Sequence, residues 1–244
     1  MERGNSWYNF IMIFPPAREL REQKMLPRLN RIQKDLIIGS LLGDGSLRLM
    51  GRSREASFVV DHSEKQKDYV LWKYEVLRNW VNREPRTLLR TYHKEKNRFL
   101  VSVRFQTRNN PVFTHWYNIF YRSGKKFIPK NIGEILVSPL SLAVWFMDDG
   151  NKNHHAVFLN TQQFKKYEQE RLIKCPQDNF NLECALNKHS VSKVKQLYRI
   201  RVNSKSTLIL QKLVEDHLLS SMRYKIPFIP VTTYLQSGRE IAVH

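Results

Sequence analysis

The chain is short of negative charge: it has 22 Asp and Glu against 41 Lys and Arg in 244 residues, a formal net charge of +19. An excess of that size repels itself in the free protein and calls for a polyanionic partner or a strongly anionic surface. Cysteine is scarcer still. Cys175 and Cys184 are the only two, too few for a disulfide framework or a zinc site, so reduced thiols in or near the fold are expected. Long apolar runs are also missing. No stretch approaches the roughly 20 residues of a bilayer span, and the longest, Trp7 to Phe14, holds Asn9. Glu2 ahead of that run and no small-residue cleavage site after it argue against a secretory signal. No phosphate-binding glycine loop occurs either. What is present, 41% hydrophobic and 11% aromatic residues, suffices for a core in one large domain or two small ones.

Two halves repeat each other between an N-terminal extension (residues 1–27) and a C-terminal tail (231–244). The first half, 28–135, carries the apolar run Leu36 to Leu42, then Gly43-Asp44-Gly45. The second, 136–230, carries Ser141 to Met147, then Asp148-Asp149-Gly150. A strand-like segment follows each, Ala56 to His62 and Ala156 to Gln162. Lys126-Phe127-Ile128-Pro129 late in the first half is echoed by Lys225-Ile226-Pro227 late in the second. Three landmarks repeated in order mark an internal duplication.

Local signals place these landmarks on elements. Ser138-Pro139 and Asn110-Pro111 each supply an N-cap and a proline at the first helical position. Gly45 and Gly150 are expected as left-handed helix terminators. Ser63-x-x-Gln66 reads as a capping box for a helix whose stripe is Val70, Tyr74, Leu77 and Val81. Segments 86–93, 98–106 and 196–203 alternate with period two and read as strands. The result is an α+β fold rather than a doubly wound sheet.

The strands also speak to function. Phe99, Val101, Val103 and Phe105 share one face, and Arg98, Ser102, Arg104 and Gln106 the other. Arg199, Arg201 and Asn203 face away from Tyr198, Ile200 and Val202, and Arg86 and Arg90 share a face of their own strand. A sheet with one apolar face and one face of Arg, Gln, Asn and Ser has the donors and acceptors that read base edges in a DNA groove.

The two Asp-Gly helices need a different explanation. A carboxylate at a helix C-terminus faces the negative end of the dipole, at a cost of some tenths to about 1 kcal/mol. A divalent cation cancels that field. Gly39 and Gly43, four apart, allow a second helix close approach. If the helices pack side by side, Asp44 and Asp149 converge, as metal-assisted phosphodiester hydrolysis requires. Lys126 and Lys225 are then suited to stabilise charge at the phosphoryl oxygens.

At these residues the chain resembles the LAGLIDADG homing endonucleases, in the single-chain, two-motif branch of the omega-intron type. The resemblance spans roughly residues 30–230 and rests on Leu36 to Gly45, Leu142 to Gly150 and the two Lys-Ile-Pro elements. It implies two pseudo-symmetric αββαββα halves with the motif helices at their interface and a β-sheet saddle for double-stranded DNA. It implies Mg²⁺ (or Mn²⁺) at Asp44 and Asp149, with Gly43 and Asp148 as further metal-site residues, and cleavage leaving 3′ overhangs at a long, near-unique asymmetric site. It also implies a monomer with no membrane association, and an organellar location. The pair of motifs is asymmetric: Val144 and Trp145 stand opposite Gly39 and Ser40, and Asp148 opposite Gly43. His62 aligns with Gln162, and Asp61 with Thr161, as supporting polar residues. Two other readings of function belong to other classes: an RNA maturase that helps a host group I intron to splice, and a DNA-binding protein without nuclease activity. Asn151-x-Asn153-His154-His155 is too tightly spaced for a His-Asn-His nuclease, and Cys184 with His189 is no zinc site.

Overall fold

In a computed structural model, the structure describes residues 28–49, 51, 54–192 and 195–227. The N-terminal extension and the C-terminal tail therefore lie outside the described residues.

The first half runs α1 (Arg31–Leu42), β1 (Ser46–Leu49), β2 (Ala56–Ser63), α2 (Lys67–Leu77), β3 (Arg86–His93), β4 (Arg98–Gln106) and α3 (Pro111–Phe120). A ribbon of β5 (Tyr121–Arg122) and β6 (Lys125–Lys126) and the short α4 (Ile132–Ile135) lead into the second half. There α5 (Pro139–Asp149), β7 (Gly150–Asn153), β8 (Ala156–Leu159), α6 (Lys166–Phe180), β9 (Cys184–Ser192), β10 (Lys195–Val202) and α7 (Ser204–Val214) repeat the order. Each half is αββαββα. The sheets have matching orders, β1-β2-β4-β3 and β7-β8-β10-β9, and every pairing is antiparallel. This is the α+β pair of halves that the duplication and the family resemblance together implied.

The caps behave as the sequence dictates. Ser138 accepts from the Leu140 amide and Asn110 from the Val112 amide, each with proline in the first turn. Asn30 and Gln33 form a reciprocal capping box on α1. Ser63 makes no cap. A 3₁₀ turn over Glu64–Gln66 intervenes before α2, and Val81 lies beyond the helix, bridged to Thr107.

The motif helices α1 and α5 pack against each other in the middle of one continuous core. Leu36, Ile37, Ile38, Leu41 and Leu42 bury there with Leu142, Ala143, Val144, Trp145, Phe146 and Met147. Burial of such side chains is worth about 1.5–3 kcal/mol each. The two helices touch closely because α1 offers glycine: a Cβ on Gly39 would lie 2.3 Å from the Ser141 carbonyl oxygen and 2.7 Å from the Val144 Cβ. Large packs on small, as the motif asymmetry implies. The glycines after the acids do not serve as left-handed terminators. Gly150 has an extended backbone, φ −73 and ψ 145, and only Gly124 among the described glycines has positive φ. α5 feeds straight into β7, and Gly150 is glycine because a Cβ would lie 2.4 Å from the Phe146 carbonyl oxygen.

Candidate active site and nucleic-acid interface

The C-terminal ends of α1 and α5 meet. The Asp44 amide donates to the Asp148 Oδ2 of the other half at 3.2 Å. Asp44 keeps half of its side chain exposed, whereas Asp149 is largely buried and its Oδ2 has no hydrogen-bond partner. Burial, then the neighbouring carboxylates Asp44 and Asp148, push the Asp149 carboxyl up to about 8. Asp44 is raised by the same causes, with Asp148 as the main charged neighbour.

The repeated lysines sit beneath these acids. Lys126 Nζ donates to the carbonyls of Gly43, at 2.8 Å, and Gly45, at 2.7 Å. Lys225 Nζ donates to the carbonyls of Met147 and Asp148. Each ammonium therefore caps the negative end of a motif helix, which explains how both helices tolerate a terminal carboxylate. Burial lowers both ammonium pKa values, to about 8 for Lys126, and the three aspartates only partly restore them.

Behind Asp44 lies a buried polar cluster. Asp148 Oδ1 accepts from Lys73 Nζ at 2.7 Å, and neither side chain has any exposed surface. His62 stands 3.6 Å from Asp44 Oδ2 and 3.7 Å from Asp148 Oδ1, with Lys73 Nζ 3.4 Å from its Nε2. Burial, followed by the Lys73 charge, brings the imidazole down to about 4, so His62 is neutral at physiological pH. Lys73 also lies 4.3 Å above the Tyr69 ring, and the Tyr69 hydroxyl donates to the Val144 carbonyl.

The ladders correct one sequence alignment. Val59 faces Ser46, two residues past Asp44, and Phe158 faces Asn151, two past Asp149. Asp61 and His62 therefore correspond to Asn160 and Thr161, not to Thr161 and Gln162. The shift arises because Ala56 pairs with Leu49, five residues past Asp44, whereas Ala156 pairs with Asn153, four past Asp149. Gln162 only donates weakly to Asn160 Oδ1, at 3.4 Å. Asp61 points away from the acids, and its carboxylate accepts from the Arg90 guanidinium on the outer face of the first sheet.

That outer face carries Arg86, Arg90, Ser102, Arg104 and Gln106. Arg104 sits opposite both Asp61 and Arg86 in the ladder, Arg90 Nε donates to Ser102 Oγ at 2.8 Å, and Gln106 Nε2 donates to Ser57 Oγ at 2.8 Å. Burial and the charges of Arg48, Arg90 and Arg86 lower the Arg104 pKa, against Asp61. The Arg98 side chain lies outside the described residues. On the opposite face Val103 and Phe105 are buried, but Phe99 is 53% exposed, because the β3–β4 hairpin runs past the helices. In the second half Arg199 stacks over the Phe158 ring at 3.6 Å, and Arg201 pairs with Phe158 across the ladder. Asn203 does not belong to this face. The strand ends at Val202, and the Asn203 side chain N-caps α7, accepting from the Ser206 amide at 2.7 Å and donating to Glu183. Its donor and acceptor are spent on the cap.

A model of the LAGLIDADG DNA endonuclease family matches residues 34–210. The chain belongs to that family. It is 29% identical over 216 residues to a probable intron-encoded endonuclease 1 of Wickerhamomyces canadensis, covering 84% of this chain and 88% of that protein. It is 27% identical over 201 residues to the cytochrome b mRNA maturase bI2 of Debaryomyces hansenii, covering 81% and 74%. Among solved structures, the homing endonuclease I-WcaI bound to its DNA recognition sequence superposes with a TM-score of 0.76 at 26% identity, covering 90% of this chain and 97% of that one.

As a member of a DNA endonuclease family the protein is a hydrolase of phosphodiester bonds, and its centre fits a divalent cation. The partnerless, buried Asp149 Oδ2 and the mutual repulsion of Asp44 and Asp149 are oxygen-donor chemistry that suits a cation. Among the described residues no group of three or more His, Cys, Asp or Glu forms a metal cage. Two carboxylates suit Mg²⁺, which retains several waters. The Gly43 carbonyl, engaged by Lys126, keeps one lone pair for such a shell. Asp148 does not fit the metal role assigned to it from the motif. Both its oxygens are committed, to Lys73 and to the Asp44 amide, and the Lys73 charge holds its carboxyl below the usual value despite full burial.

Proposed function

We propose that this endonuclease makes double-strand cuts at a long, asymmetric DNA site, with Mg²⁺ or Mn²⁺ as cofactor and 3′ overhangs as product. The observation that carries the reading is the convergence of Asp44 and Asp149, each beside a lysine-capped helix end, between two basic sheet faces. Asp44 and Asp149 would hold the cation. When bound, a divalent ion supplies positive charge at a phosphoryl oxygen and acidity for an attacking water. Lys126 and Lys225 hold the helix ends in register and lie close enough to the acids to stabilise charge developing on phosphate. The outer arginines hold the duplex, and the buried motif helices fix the separation of the two halves. The host is inferred to be an organellar intron, and the protein acts as a monomer because one chain supplies both motifs.

Incubation of plasmids carrying intron-less target alleles, with Mg²⁺ and with EDTA, tests this: linear product only with Mg²⁺ is expected. A second reading, maturase action on host intron RNA, is supported by the similarity to the D. hansenii maturase. Binding of that RNA without DNA cleavage would favour it, and DNA binding with neither activity would leave a nuclease-dead binder.

Lys126→Met should slow single-turnover cleavage by about 10²-fold or more. Because it also uncaps the Gly43 and Gly45 carbonyls, stability should fall by about 1 kcal/mol. A variant that loses affinity and rate in equal proportion would reduce Lys126 to a phosphate contact, and the same holds for Lys225→Met.

Arg104→Ala should relax discrimination at one or two base pairs on one side of the site only, by about 1–3 kcal/mol if the contact is bidentate to guanine. Arg201→Ala should do so on the other side. Cleavage profiles over a randomised site separate this from phosphate contact, which weakens all sequences alike. Relaxation of one shared base pair by both variants contradicts the two-half reading.

A further inference from the structure

The two halves differ directly behind their catalytic carboxylates. In the first half, His62, Lys73 and Tyr69 surround Asp148, which reaches across from the second half and takes the Asp44 amide on its Oδ2. The pseudo-symmetric counterpart is built differently. Gly43 stands where Asp148 stands, and Thr161, in the place of His62, hydrogen-bonds the neutral Gln169 at 2.8 Å. Nor is there room to restore the symmetry: a Cβ on Gly43 would lie 2.4 Å from the Asp148 Cβ.

We propose that the buried Lys73–Asp148 pair, with His62, is a one-sided brace that positions Asp44 and has no equivalent for Asp149, so that the two target strands are cut by unequal sites. The inference rests on the nuclease reading above.

Three features argue for a positioning role beyond packing. A buried ion pair is costly to desolvate and is weak evidence for stability by itself, so the pair is more readily explained by what it holds. What Asp148 holds is the amide of a catalytic residue whose side chain is half exposed. The His62 imidazole, wedged 3.6 Å from Asp44 Oδ2 and 3.7 Å from Asp148 Oδ1, limits the carboxylate's swing on the side facing the core. Lys73, fully buried, donates to Asp148 Oδ1 at 2.7 Å and so fixes the carboxylate whose other oxygen takes the Asp44 amide. None of these groups reaches solvent, so none touches substrate: all three are positioning residues.

The test reads each strand separately. In a supercoiled plasmid with the site, Lys73→Met and Asp148→Ala should slow cutting of one strand by about 10–100-fold, the range for loss of an orienting partner. The same strand should be affected in both variants. The other strand should change by less than about threefold, so nicked circles accumulate, and DNA affinity in EDTA should be unchanged. Lys73→Arg should restore part of the lost rate. Because Lys73→Met leaves Asp148 buried without its partner and endangers folding, the neutral pair Lys73→Gln with Asp148→Asn provides a second route. It preserves shape and an acceptor for the amide, and should show a weaker bias toward the same strand.

Hydrogen exchange in the metal-free protein supplies an independent readout. The Asp44 amide should exchange at least tenfold faster in Asp148→Ala than in the wild type. Equal slowing of both strands with a lowered melting temperature would make the pair merely structural, and an unchanged Asp44 exchange rate would also overturn the brace. A wild-type protein that cuts neither strand overturns the nuclease reading and with it the strand assignment. Wild-type cutting of both strands with evenly slowed variants overturns the brace alone.

Discussion

Asp149→Asn is expected to abolish double-strand cleavage and, in the same molecule, to raise the melting temperature of the metal-free protein at neutral pH. Both effects have one cause. The Asp149 carboxyl is buried, its Oδ2 has no partner, and its folded pKa is raised to about 8 from 3.8. An acid raised on folding binds more protons in the native state than in the unfolded chain between those two values. Stability of the metal-free protein therefore falls as pH climbs from about 4 to about 8. Asp44, raised in the same direction, adds to the slope. Asparagine carries no charge to desolvate, so the variant should be less pH-sensitive and more stable at pH 8. A gain of about 1 kcal/mol would raise the melting temperature by roughly 2–4 °C for a chain of this size. Such an exchange of stability for activity is characteristic of catalytic groups. Thermal melts in EDTA at pH 5 and pH 8, paired with cleavage assays in Mg²⁺, check both halves of the prediction. Asp44→Asn should lose cleavage equally while retaining DNA binding, because the basic faces are untouched. Either variant linearising target at the wild-type rate would remove these carboxylates from catalysis.

How much of this centre was legible in the sequence depends on the kind of signal each residue leaves. The duplicated Asp-Gly ends, the paired lysines and the Ser138-Pro139 and Asn110-Pro111 caps are local patterns that mark an α+β duplication, and the αββαββα order of each half follows from the family resemblance those motifs carry. The lysine-to-carbonyl caps were not legible, because they join residues some 80 positions apart. Lys73 was missed for a subtler reason. It lies on α2 four residues after Tyr69 and four before Leu77, on the buried stripe, so the available signal was a charge in a core position. Its meaning needed Asp148 from the other half. The misplacement of Asn203 has the opposite origin: an alternating strand pattern ran one residue too far, into an N-cap residue type that is itself a helix-start signal. Matching the segments Ala56–His62 and Ala156–Gln162 end to end sets Gln162 beside His62, but Ala156 pairs one residue nearer its aspartate than Ala56 does, which is enough to move Gln162 off the site.

Affinity for target DNA should fall about 10³–10⁵-fold between 50 and 200 mM salt if some 6–10 phosphates are neutralised. The net charge of +19 permits this, but the arrangement of charge is the stronger argument. On the first sheet, Arg48, Arg86 and Arg90 lie close enough to Arg104 for their charges to act on it, and Asp61 is paired with Arg90 among them. Such a face is strained by self-repulsion until counterions or phosphates arrive. Arg199 on the second sheet is already flattened on Phe158, so it gives up little side-chain freedom on binding. The catalytic centre should respond differently. Lys126 and Lys225 act from buried positions against carbonyls a few ångströms away, where screening by salt is slight. The single-turnover rate at saturating protein should therefore vary far less with salt than the affinity does. Asp61→Asn offers a sharper check: with Arg90 released to meet phosphate, the slope of log affinity against log salt should steepen by about one unit. Binding titrations and rate measurements over the same salt series separate the two behaviours. A flat affinity, or a rate that falls in step with it, would contradict a basic saddle built around a buried catalytic centre.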